Sequence, residues 1–424
     1  MKLLHPLRLR LTGHSVLAYF AASSMAINGA TLLAGVAALR WIPPELMGIW
    51  QMMLLAEGYA SVLRMGIPNA MNRELPYFLG RGEEERGRQV AATALLHAIL
   101  TGAMVFAGFA IAGLAIDSGK PGWQLAALAR SIAAGTGFYF SYLTGTFRSN
   151  KSFKALAGIQ LAQAGLALLM PVFAYAWGYN GFCLHAVLQS VILAGICHAK
   201  RPLRIRPAFH AEAWSLLWRT GFHLFISAYL LTLVRGLENV FLFRRGGEAM
   251  VGIFAPALAV SHAMEVLPAA LSSYVYPRMS FRFGETSDAS RLSRMTFWTM
   301  GLALALCVPL VLVGWVCLPW VVERLVPKYS AALPAMRIAL LTGMLLSVIT
   351  GTSVLRALKK WTLLYGFIAL VGTAKLIAVG LMAGGDSPVM GVAWGGLVSA
   401  VVAAGAAVIA CRMATRDEGN KAAA

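Results

Sequence analysis

Apolar stretches of some 20 residues recur along this chain from Ser15 to Cys411, with only short polar interruptions between them. That recurrence limits the fold more than any other feature. About 20 consecutive helical residues rise about 30 Å, the thickness of bilayer hydrocarbon, and a backbone crossing that layer must satisfy its own hydrogen bonds. Twelve spans are predicted, near 15–39, 47–70, 90–116, 123–146, 156–177, 180–198, 220–243, 250–275, 296–318, 333–355, 362–383 and 389–411. No soluble domain fits between them. Composition agrees, since 12% of residues are charged and 59% hydrophobic, where a soluble domain has roughly a quarter charged. The expected class is an all-α integral membrane protein of about twelve transmembrane helices.

A net charge of +19 raises nucleic acid as a partner, and the location of the charge argues against it. If the N-terminus is cytoplasmic, the inner segments 1–14, 71–89, 147–155, 199–219, 276–295, 356–361 and 412–424 hold 25 Lys/Arg and the outer segments six. Such an asymmetry follows the positive-inside rule, so the basicity is mostly a topology signal. Both termini are expected in the cytoplasm, and no nucleic-acid partner is expected. The opening MKLLHPLRLRLTG, followed by an apolar run with SMA at 24–26, has the layout of a secretory signal; because the run continues to Leu39 it is read as a retained first span. Cys183, Cys197, Cys307, Cys317 and Cys411 all fall in or at the ends of spans. They are read as small apolar packing residues, and no disulfide, metal site or cofactor is expected.

An offset of 204 residues superposes Val36 on Val240, Arg40 on Arg244, Gly48 on Gly252, Ile49 on Ile253, Trp50 on Phe254 and Gly80 on Gly284 without a gap. Six spans per half is an even number, so the halves share one orientation, and parallel repeats of this kind occur in transporters with the substrate site between them. The expected organisation is a six-helix bundle at 1–198, a cytoplasmic linker at 199–219, a second six-helix bundle at 220–411 and a cytoplasmic tail at 412–424, the two bundles parallel and around a central cavity.

The turn PELMGIW after the first span, the segment GIPNAMNRELPYFLGRGEEERGR after the second, and GIFAPALAVSHAMEVLPAALSSYVYPRMS in the eighth carry a family resemblance. The chain resembles the Wzx-type polysaccharide-biosynthesis flippases of the multidrug/oligosaccharidyl-lipid/polysaccharide exporter superfamily. That resemblance implies a carrier, not an enzyme, in the bacterial inner membrane. It would flip undecaprenyl-pyrophosphate-linked oligosaccharide for O-antigen, lipopolysaccharide or exopolysaccharide assembly by alternating access through a basic cavity. It also implies a monomer in contact with membrane lipid, working beside a polysaccharide polymerase and a chain-length regulator, with an acidic residue in the seventh span about where Glu238 stands.

Eight charged residues lie within the predicted spans. Each costs about 2.5–3.5 kcal/mol at a helix centre, so each should face a wet interior or a partner. Arg64, Arg130, Arg235, Arg337 and Lys375 are the candidates for a pyrophosphate, because guanidinium binds phosphate oxygens bidentately and ammonium acts as a point charge. Glu57, Glu238 and Glu265, with His262 three residues before Glu265, are the candidates for proton or sodium coupling. Arg40 and Arg244 occupy matching positions at the outer mouth. Plainer readings stand beside these. Arg235 and Glu238, three residues apart, make a local ion pair as easily as a site, Glu57 and Arg64 share a helix face, Arg337 can snorkel, and His262 can be an interhelical donor.

Two other functions compete. A multidrug exporter of the same superfamily would favour cationic substrates and an acid-rich interior. A membrane polymerase or ligase would present catalytic residues on an outer loop, and the longest such segment, PWVVERLVPKYSAA at 319–332, has 14 residues.

Overall fold

The computed structural model describes residues 5–117, 119–286, 289–358 and 360–423, and most side chains from Tyr19 to Arg416. Most side chains of the predicted basic loop 276–295, and those of the opening segment 1–14, lie outside the described residues. All the regular structure described is helical: α1 His5–Ala38, α2 Pro44–Ala60, α3 Ile67–Gly80, α4 Glu84–Ala115, α5 Pro121–Ser149, α6 Phe153–Ala167, α7 Met170–Ala199, α8 Ala211–Thr286, α9 Ala289–Leu325, α10 Leu333–Leu346, α11 Ser353–Ala357, α12 Trp361–Met382 and α13 Pro388–Ala423, with short 3₁₀ turns at Ser61–Arg64, Pro327–Ala332 and Ser347–Thr352.

Nine helices among the described residues are long and apolar enough to cross a membrane. The number of crossings is larger, because two continuous-looking helices are hairpins. In α7, Trp177 and Gly178 leave helical geometry, with Gly178 at φ +57°. In α8, Gly246 and Gly247 do the same, with Gly247 at φ +63°. Glycine takes positive φ without a Cβ clash, which is what a reversal between two helices needs. The reversal is visible in long-range contacts: Arg235 reaches Glu265 at 3.0 Å, although 30 residues of straight helix would hold them about 45 Å apart. His185 Nε2 likewise meets the Leu166 carbonyl at 2.8 Å. With α7 and α8 divided at these turns, α6 joined to the first limb of α7, α10 joined to α11, and α5 counted, the described residues make twelve crossings. These match the twelve spans read from hydropathy. The tail also contributes helix, since α13 continues to Ala423.

Contacts divide the chain into two compact units, one of Met1–Ile42 with Met53–Ile226, the other of Pro43–Met52 with Ser227–Ala424. The segment 199–219 lies in the first. Its core gathers Met71, Leu75, Val90, Phe147, Ile159 and Leu217 from α3, α4, α5, α6 and α8, with Cys197 among them. In the second unit the core gathers Leu355, Leu364, Phe367, Ala403 and Cys411.

The repeat is written into packing within the second unit. A Cβ at Gly48 would strike the Glu248 carbonyl, and a Cβ at Gly252 would strike the carbonyl of Pro44. Under the 204-residue offset Pro44 maps onto Glu248 and Gly48 onto Gly252, so the contact is reciprocal, as contacts across a two-fold axis are. Glycine at both positions allows the backbones to touch.

Candidate functional site

In the first unit the charged cluster is built on a close crossing of α4 and α5. A Cβ at Gly102 would stand 2.8 Å from the Gly135 carbonyl oxygen, and one at Gly135 would stand 3.0 Å from Phe106 Cβ, so the two helices meet backbone to backbone. This seats Val105, Ala134 and Phe138 in one apolar cluster that Leu63 joins. Arg130, one turn before Ala134, points into the same interior and is 9% exposed. Its guanidinium pairs with Glu57 of α2, the two side chains 11% and 22% exposed. The desolvation of two charges is offset only when each meets its opposite, and here each does.

Arg64 does not share that carboxylate. Beyond Ala60 the chain tightens into a 3₁₀ turn that ends with Met65 and Gly66 at positive φ, rotating each residue about 20° further than an α-helix would. The shared Glu57–Arg64 face expected from a seven-residue spacing is thereby lost. The Arg64 guanidinium instead lies 4.7 Å over the Phe138 ring, and the Arg64 carbonyl, freed by the break, meets His97 Nε2 at 3.3 Å. Gly66 makes the break possible twice over, by its positive φ and by lying against the backbone of Gly221.

In the second unit α8 carries both Arg235 and Glu238, and the structure overturns their reading as a local ion pair. Arg235 pairs across the hairpin with Glu265 at 3.0 Å, and its side chain is 63% exposed. Glu238 pairs with Lys375 of α12 at 2.9 Å, the two side chains 13% and 12% exposed. The hairpin decides this, because it sets a second acid beside Arg235 and frees Glu238 for another helix. Glycines bring the helices close: Gly372 faces Val234, Gly380 faces the Phe241 ring, and a Cβ at Gly396 of α13 would stand 3.1 Å from Glu238 Oε1. Next to Glu238 is a cavity of about 20 Å³ whose lining includes Ser261, Thr342 and Gly396, enough for one water. Asn239, 8% exposed, leaves its side-chain oxygen without a hydrogen bond among the described residues.

The other candidates are scattered. Arg337, at the start of the second turn of α10, lies 5.1 Å from the Trp315 ring centroid. His262 is exposed, with no hydrogen bond or ion pair among the described residues. Arg40 and Arg244 are exposed at the ends of their helices. Within the described residues, then, each of the three in-span acids holds a base, while Arg64 and Arg337 hold aromatic rings and no carboxylate.

One buried acid escaped the sequence reading. Glu74 of α3 is 8% exposed, accepts a hydrogen bond from Thr220 at 3.1 Å and lies 3.7 Å from Arg73. The signal was present: Ile67, Ala70, Met71, Leu75 and Phe78 mark a helical face, and Glu74 falls on it.

A profile described as "Polysaccharide biosynthesis protein" matches residues 84–332, more than half of the 424. The chain belongs to this polysaccharide biosynthesis family. A search of curated protein sequences finds no significant match. In structure, the polysaccharide biosynthesis chain superposes on the inward-facing conformation of a multidrug resistance MATE family transporter of the MOP superfamily, with TM-score 0.76 and 15% identity over 94% of this chain and 99% of the other. It also superposes on the bent form of the Vibrio cholerae MATE transporter VcmN, with TM-score 0.61 and 16% identity over 96% and 99%. A third match is a MOP superfamily transporter from Pyrococcus furiosus, described by a reverse polarity of its binding pocket that suggests a different function, with TM-score 0.65 and 17% identity over 95% and 96%. At these identities the likeness establishes the fold. The polysaccharide biosynthesis protein is thus a multi-pass membrane protein with the two-bundle fold of MOP-superfamily transporters.

Proposed function

We propose that this protein flips a polyprenyl-pyrophosphate-linked oligosaccharide across the bacterial inner membrane for surface polysaccharide assembly. The observation that carries the reading is the balance of charge within the spans, where among the described residues three acids are each matched by a base and Arg64 and Arg337 hold no carboxylate. A transporter of cations needs open carboxylates, and here the carboxylates already hold cations. A pyrophosphate needs cationic donors, and guanidinium groups offer them in bidentate geometry. Membership of a polysaccharide biosynthesis family supplies the sugar. The positive-inside charge bias supports cytoplasmic termini, and a flippase of this kind would hand its product to a polymerase and chain-length regulator outside.

The test is a deletion strain. Glycan linked to the lipid carrier is expected to accumulate on the cytoplasmic face while its synthesis continues. If the glycan appears outside but unpolymerised, the polymerase or ligase reading replaces this one. The double variant R64Q/R337Q, supplied in trans, is expected to fold and to leave surface glycan near the level of the deletion; normal surface glycan would remove both arginines from the substrate path.

A further inference from the structure

In the first unit, residues 201–210 run between α7 and α8 without regular secondary structure, yet they form a pinned strap. Pro202 and Pro207 hold φ fixed and bias the residues before them toward extended backbone. Ala208 N donates to the Ala92 carbonyl at 3.4 Å and His210 N to Thr93 Oγ1 at 3.2 Å, tying the strap to α4. From 201 to 206 burial alternates with the period of two that extended chain imposes, and at Pro207 the alternation shifts by one residue, which turns Phe209 outward as well. Leu203 and Ile205 pack on the core of the unit, while Arg204, Arg206 and Phe209 face outward, Phe209 with 60% of its surface exposed. Arg201 is already engaged, donating to the His198 carbonyl at 2.7 Å. Neither Arg204 nor Arg206 is in an ion pair among the described residues.

The depth of the strap follows from α4. This helix has 32 residues, about 48 Å at 1.5 Å each, against about 30 Å of hydrocarbon. Counting about 20 residues back from Ala115 puts the hydrocarbon edge near Leu96, so the strap crosses α4 at residues 92–93 about 5 Å beyond it, at headgroup depth. The exposed apolar side chains of α4 agree, beginning at Ile99 and ending at Leu114.

We propose that this strap is a docking surface for an anionic phospholipid headgroup of the leaflet on the basic-loop side. Two outward guanidinium groups about 7 Å apart along extended chain can reach one phosphate together. Phe209 beside them enters the acyl boundary. The strap thereby moors the first unit to the leaflet at a fixed depth. Only the naming of that leaflet as cytoplasmic rests on the proposed orientation; the headgroup site stands whatever the protein transports.

The experiment is native mass spectrometry of the purified full-length chain titrated with dioleoyl phosphatidylglycerol and, separately, dioleoyl phosphatidylcholine. The wild-type chain is expected to retain phosphatidylglycerol in preference. Each outward arginine is worth about a fivefold change in affinity for an anionic surface, so R204Q/R206Q is expected to weaken retention about 30-fold and to lower its salt sensitivity. Both side chains are exposed, and an unchanged melting temperature in detergent confirms that the variant folds. The control R324Q, at the far end of α9, is expected to bind as wild type. Equal retention of the two lipids, no loss in R204Q/R206Q, an equal loss in R324Q, or displacement of the lipid by millimolar inorganic phosphate would each overturn the proposal. Because no transport is measured, its failure and failure of the flippase reading are separate results.

Discussion

The two units hold their interior charges differently. In the first, the in-span acid among the described residues, Glu57, pairs with Arg130 against the α4–α5 crossing, and Arg64 is parked on a phenyl ring. In the second, one limb of α8 supplies members of two unlike pairs. Glu238 with Lys375 is held between helices with both side chains mostly buried, while Arg235 reaches Glu265 with most of its own surface exposed. The contrast teaches that adjacency in sequence says little about shared role. Arg235 and Glu238 are three residues apart, yet one belongs to an open pair across a hairpin and the other to a close-packed pair between helices. The position matching Glu238 in the first half is Ala34, which is 1% exposed, so the acid–base pair belongs to one repeat and not to the common scaffold.

The largest expected effect is at the close-packed pair. Changing Lys375→Met leaves the Glu238 carboxylate unmatched beside Gly396 and should cost about 3–5 kcal/mol, with E238Q/K375M recovering most of it. Thermal melting of the purified protein in detergent reads both, and a single variant that melts like wild type would break the comparison. In the first unit Arg130→Met should cost somewhat less, about 2–3 kcal/mol, because Glu57 keeps partial access to water and is screened. A loss larger than that of K375M would invert the ranking of the two units.

Smaller still is Arg64→Gln. Removing a guanidinium from the Phe138 ring should cost about 1 kcal/mol, while flipping of a pyrophosphate-linked glycan into proteoliposomes should fall to the background of empty vesicles. Retained flipping with unchanged melting would return Arg64 to a packing role. At the bottom is Arg235→Gln, where an exposed pair is worth under about 1 kcal/mol of stability. A drop in melting as large as that of K375M would mean that Arg235 is held as tightly as Glu238, and the distinction within α8 would fail.

Much of the fold was legible beforehand. Hydropathy placed twelve crossings, because hydrocarbon permits few alternatives to an apolar helix, and the 204-residue offset picked out Gly48 and Gly252, which meet in reciprocal contact. The candidate site was legible as a set of residues and not as a set of pairs. Glu57 and Arg64 were assigned one face by a rule that holds only for unbroken α-helix, and the 3₁₀ turn at Ser61–Arg64 voids it. Glu74 was passed over because it lies outside the hydropathy peaks, although the face of α3 buries it. Gly396 reads in sequence as one more small residue; only its place against Glu238 shows what its missing side chain allows.

By itself the sequence determined that this chain lives in a bilayer, how many times it crosses, and which charged side chains had to find a partner or water, and its 204-residue offset pointed to two like halves. Those are properties of composition and spacing, enforced residue by residue by the cost of placing polar groups in hydrocarbon. Which acid would meet which base was decided only in three dimensions. The answer depends on two glycine reversals, a helix break and a few close helix crossings that set residues 30 to 137 positions apart side by side, and ion pairing falls off over distances shorter than the diameter of one helix.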